Sequence, residues 1–359
     1  MIEMKIKHRF SLIQAIALLL VLFNAFPACS YKTGSQVRKQ GNTAKYRTSF
    51  PAGNVSGELE NIFHSVKQIK NYSSYRTYVF DENTRVTLNE LNSDGLLERT
   101  RAGIVTNDAT SGTALLIFSD GKRIALLTCA HAVKAPDTII EWAEYSDIGN
   151  NRFIHSISFK TKQQLFVNDM PAGSKFEVLA SDSKNDIAFI GTTFIEPVNN
   201  APVFRYRCGN SMDLEWGSFL YLAGYPKGQQ MITHGIVSKP QAKTGSFLTD
   251  APFNEGLSGG IALAVTENGN QFELLGIARS VAASFGYVLK PEKENHEFTY
   301  NPAIPYTGSI YVNQKKDINY GITSVISIDQ VKQFYISNRQ NLLSKDFNFD
   351  DFFGLKPGE

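Results

Sequence analysis

From Ala102 onward the chain breaks into short apolar or alternating runs separated by turn-forming residues, and this punctuation limits the fold more than any other feature. One group of runs covers 114–118, 123–128, 138–145, 153–159, 176–180 and 187–190; a second covers 218–223, 231–239, 245–249, 261–265, 272–280 and 308–312. Segments this short, bounded by Gly, Pro, Asn and Asp, are strand signals. They predict an all-β body in two groups of strands, about 99–200 and about 210–326. Helical spacing occurs at two places only. Leu59, Ile62, Phe63, Val66 and Ile69 share one helical face and precede a strand-like 75–88 with a turn at Asp81-Glu82-Asn83, so 58–98 reads as an N-terminal helix-and-strand extension. Ser327 and Gln330 stand three apart as in a capping box and predict a C-terminal helix over about 328–343, with Ile328, Val331, Tyr335 and Leu342 on one face. Residues 346–359 are left as a tail.

The start of the chain has a different character. Lys5, Lys7 and Arg9 precede an unbroken apolar stretch at 15–23, the pattern of an export signal. Its end, Ala25-Phe26-Pro27-Ala28-Cys29-Ser30, places a small residue before a cysteine and resembles the lipobox of bacterial lipoproteins. That resemblance implies a signal segment 1–29, lipidation of Cys29 and a place in the bacterial envelope, periplasmic or at the outer membrane. Phe26 and Pro27 depart from the usual pattern, and plain secretion is the alternative. Residues 30–57 are polar, basic and without hydrophobic period, as expected of a flexible tether.

Composition adds bounds. With 42% hydrophobic residues and 25 phenylalanines the chain can build a sizeable core, while a formal charge of +2 argues against a nucleic-acid partner. There are three cysteines. With Cys29 lipidated, Cys129 and Cys208 are too few for a disulfide framework; the two can form one bridge, but Cys129, inside an apolar run, reads rather as a buried thiol.

The chemistry centres on Phe253-Asn254-Glu255-Gly256-Leu257-Ser258-Gly259-Gly260. Glycines around a serine allow two backbone N–H groups, those of Gly256 and Ser258, to converge on a developing oxyanion. Gly256 to Gly260 also satisfies the G-x-S-x-G elbow of α/β-hydrolases, but that elbow follows a buried strand, opens a helix and precedes its acid and histidine. Here a Pro-containing loop leads in and a β-like run leads out. Downstream lies only His296, in a charged stretch. Upstream are His131, closing the apolar run Leu126-Leu127-Thr128-Cys129-Ala130, and Asp186, opening Ile187-Ala188-Phe189-Ile190; Asp182 is the rival acid, within a polar turn. His155 and His234 have no acid or cysteine at ligand spacing, so no metal site is expected, and no cofactor is implied.

With the order His131, Asp186, Ser258, the sequence resembles the trypsin/chymotrypsin superfamily of serine peptidases, and within it the HtrA-like (Deg) branch. Gly112-Thr113-Ala114, Ala223-Gly224-Tyr225-Pro226, His234-Gly235-Ile236-Val237-Ser238, Thr249-Asp250-Ala251-Pro252 and Tyr320-Gly321-Ile322 match that branch in order. The resemblance implies a chymotrypsin-like double β-barrel over 99–345, with Ser258 as nucleophile, His131 as general base, Asp186 orienting it, and proteins or peptides as substrates. It places substrate-pocket residues at Pro252, Glu255, Gly276, Ile277 and Ala278. Pro252 stands where relatives that cut after basic residues carry an acid, which argues against that preference. Leu257 replaces the acid that activated trypsin relatives pair with a new N-terminus, and Ile261 replaces a proline. The segment after the C-terminal helix leaves no room for a PDZ domain, and the insertion 281–319 is the expected source of any private specificity. The competing expectation is a catalytically silent lipoprotein of the same fold, serving as a peptide-binding scaffold.

Overall fold

Alternation in the sequence becomes pairing in the fold. The computed structural model describes residues 44–50, 53–91, 95–143, 153–171, 173–198, 200–240, 245–267, 271–291 and 310–356. Residues 1–29, expected as a signal segment ending at Cys29, and His296 lie outside the described residues. Among the described residues, no helix is long and apolar enough to cross a membrane.

The first sheet contains β1 (Val66–Phe80), β2 (Thr100–Ser119), β3 (Arg123–Thr128), β4 (Thr138–Trp142), β5 (Ile154–Val167), β6 (Glu177–Asp182) and β7 (Ile187–Thr193). Their order is β4-β5-β1-β2-β3-β7-β6, with every neighbouring pair antiparallel. The second sheet contains β8 (Arg207–Cys208), β9 (Phe219–Gly224), β10 (Met231–Lys239), β11 (Ser246–Thr249), β12 (Ile261–Val265), β13 (Phe272–Pro291) and β14 (Ile310–Ser327). Here β12 pairs with both β9 and β13, which closes six strands into a barrel, and β8 adds to β13 in parallel. The first sheet stays a half-barrel, and the whole is the chymotrypsin-like double barrel.

Five expectations change. The helical face counted through Ile69 ends early: helix α1 spans Ser56–His64, and Ser65 closes it by donating its backbone N–H and hydroxyl to the Ile62 carbonyl. Val66 and Ile69 then belong to β1, because a spacing of three or four apolar positions can also be reached on a strand whose two faces are both covered. β1 is not an extension packed on a barrel; it lies between β2 and β5 inside the first sheet, which therefore begins at Val66 rather than near residue 99. The tether also ends earlier than residue 57. Residues 44–50 run along the second barrel, where Arg47 N–H donates to Val265 O, Phe219 N–H to Arg47 O, and the buried Tyr46 hydroxyl donates to Glu273 at 2.7 Å.

The expected insertion 281–319 is in its described parts a continuation of β13 and β14, paired from Ala283↔Ile318 to Pro291↔Ile310 beyond two register shifts. The facing stretch of β14, Asn313-Gln314-Lys315-Lys316-Asp317, is polar and gives sequence reading no strand signal. Lastly, the tail is structured. Helix α2 is the single turn Ala130–Val133, α3 is Ile328–Leu343 as predicted, and α4 is Asp350–Phe353. Phe347, Phe349 and Phe353 are buried against Phe118 and Phe189 of the first sheet, with ring centroids 5.1 to 6.5 Å apart. Helix α3 joins the same cluster through Phe334, stacked on Phe189 at 5.3 Å.

Candidate active site

Register brings the acid and the histidine together. β3 pairs with β7 so that Thr128 faces Ala188; the residues just after β3 and just before β7 therefore emerge side by side. His131 sits on α2, whose Ala130, Ala132 and Val133 are buried and anchor the turn, and Ala130 N–H donates to the Asp186 carbonyl at 3.2 Å. Asp186 adopts φ +61, a left-handed conformation that Asp tolerates better than most side chains. Its carboxylate, largely shielded from solvent, accepts the His131 backbone N–H at 2.9 Å through Oδ1 and faces His131 Nδ1 at 2.7 Å through Oδ2. A carboxylate at Nδ1 requires the proton there, which leaves the Nε2 lone pair facing outward. Ser258 Oγ lies 2.9 Å from Nε2 and 3.3 Å from the Arg279 carbonyl.

Ser258 arrives from the other barrel. The turn before β12 is held by Leu257 N–H on Asn254 O and Gly260 N–H on Leu257 O, and is stitched to β13 by Gly259 N–H on Ala278 O at 2.7 Å and Ala278 N–H on Gly260 O at 2.6 Å. Gly256 has φ +94, and a Cβ there would meet the Tyr225 carbonyl at 2.5 Å, so both conformation and space demand glycine. Lys227 N–H donates to Glu255 O at 2.6 Å. Because a trans peptide points its N–H opposite its C=O, that bond aims the Gly256 N–H away from Lys227.

The remaining predicted residues are distributed as follows. Pro252 is exposed on the loop between β11 and Ser258, and Glu255 is exposed with its carboxylate 2.7 Å from Lys227 Nζ. Gly276, Ile277 and Ala278 are buried within β13, all three paired to β14 and Gly276 and Ile277 also to β12. Asp182 accepts hydrogen bonds from its own turn, from the backbone N–H groups of Lys184 and Asn185. Although desolvation works against it, backbone N–H groups of Asn185 and Lys184 and the Asn185 side chain hold its carboxyl below the usual range, as befits a turn cap. His155 and His234 are exposed, His234 stacked on Phe219.

Cys129, His131 and Asp186 place three candidate ligand atoms within 4.8 Å of one another. The set does not suit a metal: Cys129 is fully buried, burial pushes its thiol up, and the S–H donates to Ala278 O at 3.3 Å. Neither Cys129 nor Cys208 is in a disulfide. Two residues escaped assignment from sequence. Arg279 follows the buried stretch of β13 and brings its Nε within 3.6 Å of Asp186 Oδ2. Thr113, which the sequence offered only as part of the Gly112-Thr113-Ala114 match and with no role, bonds directly to the nucleophile turn.

The fold defines the class: a chymotrypsin-like double barrel with serine, histidine and aspartate side chains meeting between its halves, the architecture of trypsin-like serine peptidases. Residues 112–277 match the family model of the trypsin-like peptidase domain, a span that contains all three. No curated protein matches the chain.

Proposed function

We propose that this protein is an exported serine endopeptidase of the cell envelope, of the HtrA-like branch, acting on proteins or peptides and held at the membrane through a lipidated Cys29. The catalytic reading is carried by one observation: the two nitrogens of His131 are engaged on opposite sides, by Asp186 Oδ2 at 2.7 Å and Ser258 Oγ at 2.9 Å. A serine hydroxyl is too weak an acid to attack an amide unaided near neutral pH. As Ser258 Oγ bonds to the substrate carbonyl carbon, its proton passes to His131 Nε2, and Asp186 stabilises the imidazolium. The carbonyl oxygen becomes an oxyanion facing the Gly256 and Ser258 N–H groups. Collapse expels the amine, which takes the proton from His131, and leaves an acyl ester on Ser258. Water then repeats the sequence, giving up its proton to His131 and releasing the carboxylic acid.

The envelope placement rests on the basic residues and apolar stretch of 1–23 and on the Ala28-Cys29-Ser30 junction. A fluorophosphonate probe tests the catalytic part. Wild-type protein is expected to label and Ser258→Ala is not; labelling that persists in the variant removes Ser258 from the mechanism, and an unlabelled wild type turns the reading towards a peptide-binding scaffold. For the anchor, Cys29→Ala is expected to move the protein from the membrane to the soluble fraction of a bacterial host, and an unchanged distribution overturns it.

A further inference from the structure

The four peptide carbonyls of the turn that carries both proposed oxyanion donors are all held. Glu255 O accepts from Lys227 N–H at 2.6 Å, Leu257 O from Gly260 N–H at 2.7 Å, and Ser258 O from Thr113 N–H at 2.8 Å. Gly256 O accepts from the Thr113 hydroxyl at 2.8 Å. Three of these donors are backbone groups that no substitution short of proline removes; the fourth is a side chain.

Thr113 is completely buried near the middle of β2, opposite Gln68 of β1, and belongs to the half-barrel rather than to the barrel that carries Ser258. A hydroxyl has one donor and two acceptor sites. Its donor goes to Gly256 O, and one acceptor site takes the Tyr225 N–H at 2.9 Å. Its own carbonyl accepts the Thr128 hydroxyl at 2.7 Å, fixing the strand beneath, and passes so near Gly259 that a Cβ there would sit 2.0 Å from it. One side chain therefore ties three segments from two barrels: β2, the Tyr225–Gln229 loop and the nucleophile turn. Glycine at position 256 has little conformational preference of its own, so its peptide plane is oriented by whatever holds the carbonyl.

We propose that Thr113 is a positioning residue: its hydroxyl clamps the Gly256–Leu257 peptide and the Tyr225 loop, and so keeps the Gly256 and Ser258 N–H groups converged on the oxyanion. The proposal rests on the peptidase reading for its catalytic consequence, but not for the clamp itself. Replacing the hydroxyl by a methyl of the same shape leaves the Gly256 carbonyl and Tyr225 N–H buried without that partner, and the glycine peptide free to turn.

The test compares Thr113→Val with Thr113→Ser in the purified protein by amide hydrogen exchange and by turnover of a peptide substrate. In Thr113→Val, exchange across 225–229 and 253–260 is expected to accelerate about tenfold or more while that of β12 holds. In the same variant kcat falls about 10- to 100-fold, short of the loss of a whole oxyanion donor, and KM stays within about twofold. Affinity for a peptide aldehyde, whose adduct places an oxyanion on the two N–H groups, falls in proportion to kcat. Thr113→Ser keeps wild-type behaviour in every measurement. Unchanged exchange in Thr113→Val, or equal acceleration in both variants, overturns the clamp. A drop in kcat matched by a like rise in KM overturns its action on the oxyanion donors. A wild type that neither labels nor hydrolyses while Thr113→Val still loosens the two loops leaves the clamp standing and brings down the peptidase reading instead.

Discussion

Replacing Asp186 by asparagine changes one atom, and its consequence can be worked from the contacts. The carboxylate receives two donors, the His131 backbone N–H at 2.9 Å and the ring at Nδ1 at 2.7 Å. A backbone N–H cannot give up its proton, so the new amide must turn its oxygen towards it, which sets the NH2 group against Nδ1. An imidazole facing an amide donor must accept there, and its proton moves to Nε2. Ser258 then meets a donor where it needs a base. The oxyanion donors are untouched, and Asp186, buried behind His131, contacts no substrate, so the loss falls on the chemical step. Such a reversal of tautomer costs serine peptidases about ten-thousandfold in turnover, equivalent to about 5 kcal/mol of activation free energy. The assay is the rate of fluorophosphonate labelling and of peptide turnover near neutral pH, with thermal melting to show that the variant folds. Asp182→Asn is the matched control and should keep activity within about twofold, since Asp182 serves only the turn at Lys184 and Asn185. A folded Asp186→Asn that retains more than about a tenth of wild-type activity would refute the reasoning.

Other perturbations act elsewhere in the fold. Gly256→Ala puts a Cβ 2.5 Å from Tyr225 O on a backbone with φ +94; it is expected to destabilise the protein by about 1–3 kcal/mol and abolish labelling, and a variant that melts and labels like wild type contradicts the close approach. Phe189→Ala empties the centre of the aromatic cluster formed with Phe334, Phe349 and Phe353; a loss of about 3–5 kcal/mol should appear as a lower urea midpoint, and a shift below 1 kcal/mol would show that the C-terminal segment does not pack there. Asp350 is held below the usual carboxylate range by its hydrogen bond to the Arg339 guanidinium at 2.8 Å, against some desolvation. With the folded pKa lower than the unfolded one, this pair contributes stability above the unfolded value of about 3.8 and loses it as pH falls through the folded value. Asp350→Asn should therefore flatten the fall of melting temperature below about pH 4, and melting curves that stay parallel to wild type would dismiss the linkage.

What could be read before the fold was known divides by the range of the interaction. His131, Asp186 and Ser258 are legible because each sits at the mouth of a strongly apolar run, where strand ends deliver side chains to a cleft. The short central strands are legible for the same reason: β3, β10 and β12 have the limits that their apolar pattern sets. The sequence hid what depends on a distant partner. The outer half of β2 is too polar to advertise pairing, yet β1 lies alongside it for fifteen residues. The Gly112-Thr113-Ala114 match marks Thr113 but not its partner, the Gly256 carbonyl, which lies 143 residues further on. Arg279 directly follows a stretch expected to line a pocket, but only the fold shows that the residues before it are buried while its guanidinium reaches Asp186. Phe347, Phe349, Phe352 and Phe353 did carry a local hint, since four aromatics in seven residues are poor company for water.

The two halves differ in how each is completed. The serine-bearing barrel closes on itself through β12 and β13, whereas the half that carries His131 and Asp186 is backed by α3 and by phenylalanines at 347–353. Those phenylalanines leave the ribosome only after His131, Asp186 and Ser258 have all emerged. A chain still being synthesised thus contains all three residues before the aromatic cluster that backs the half-barrel has emerged.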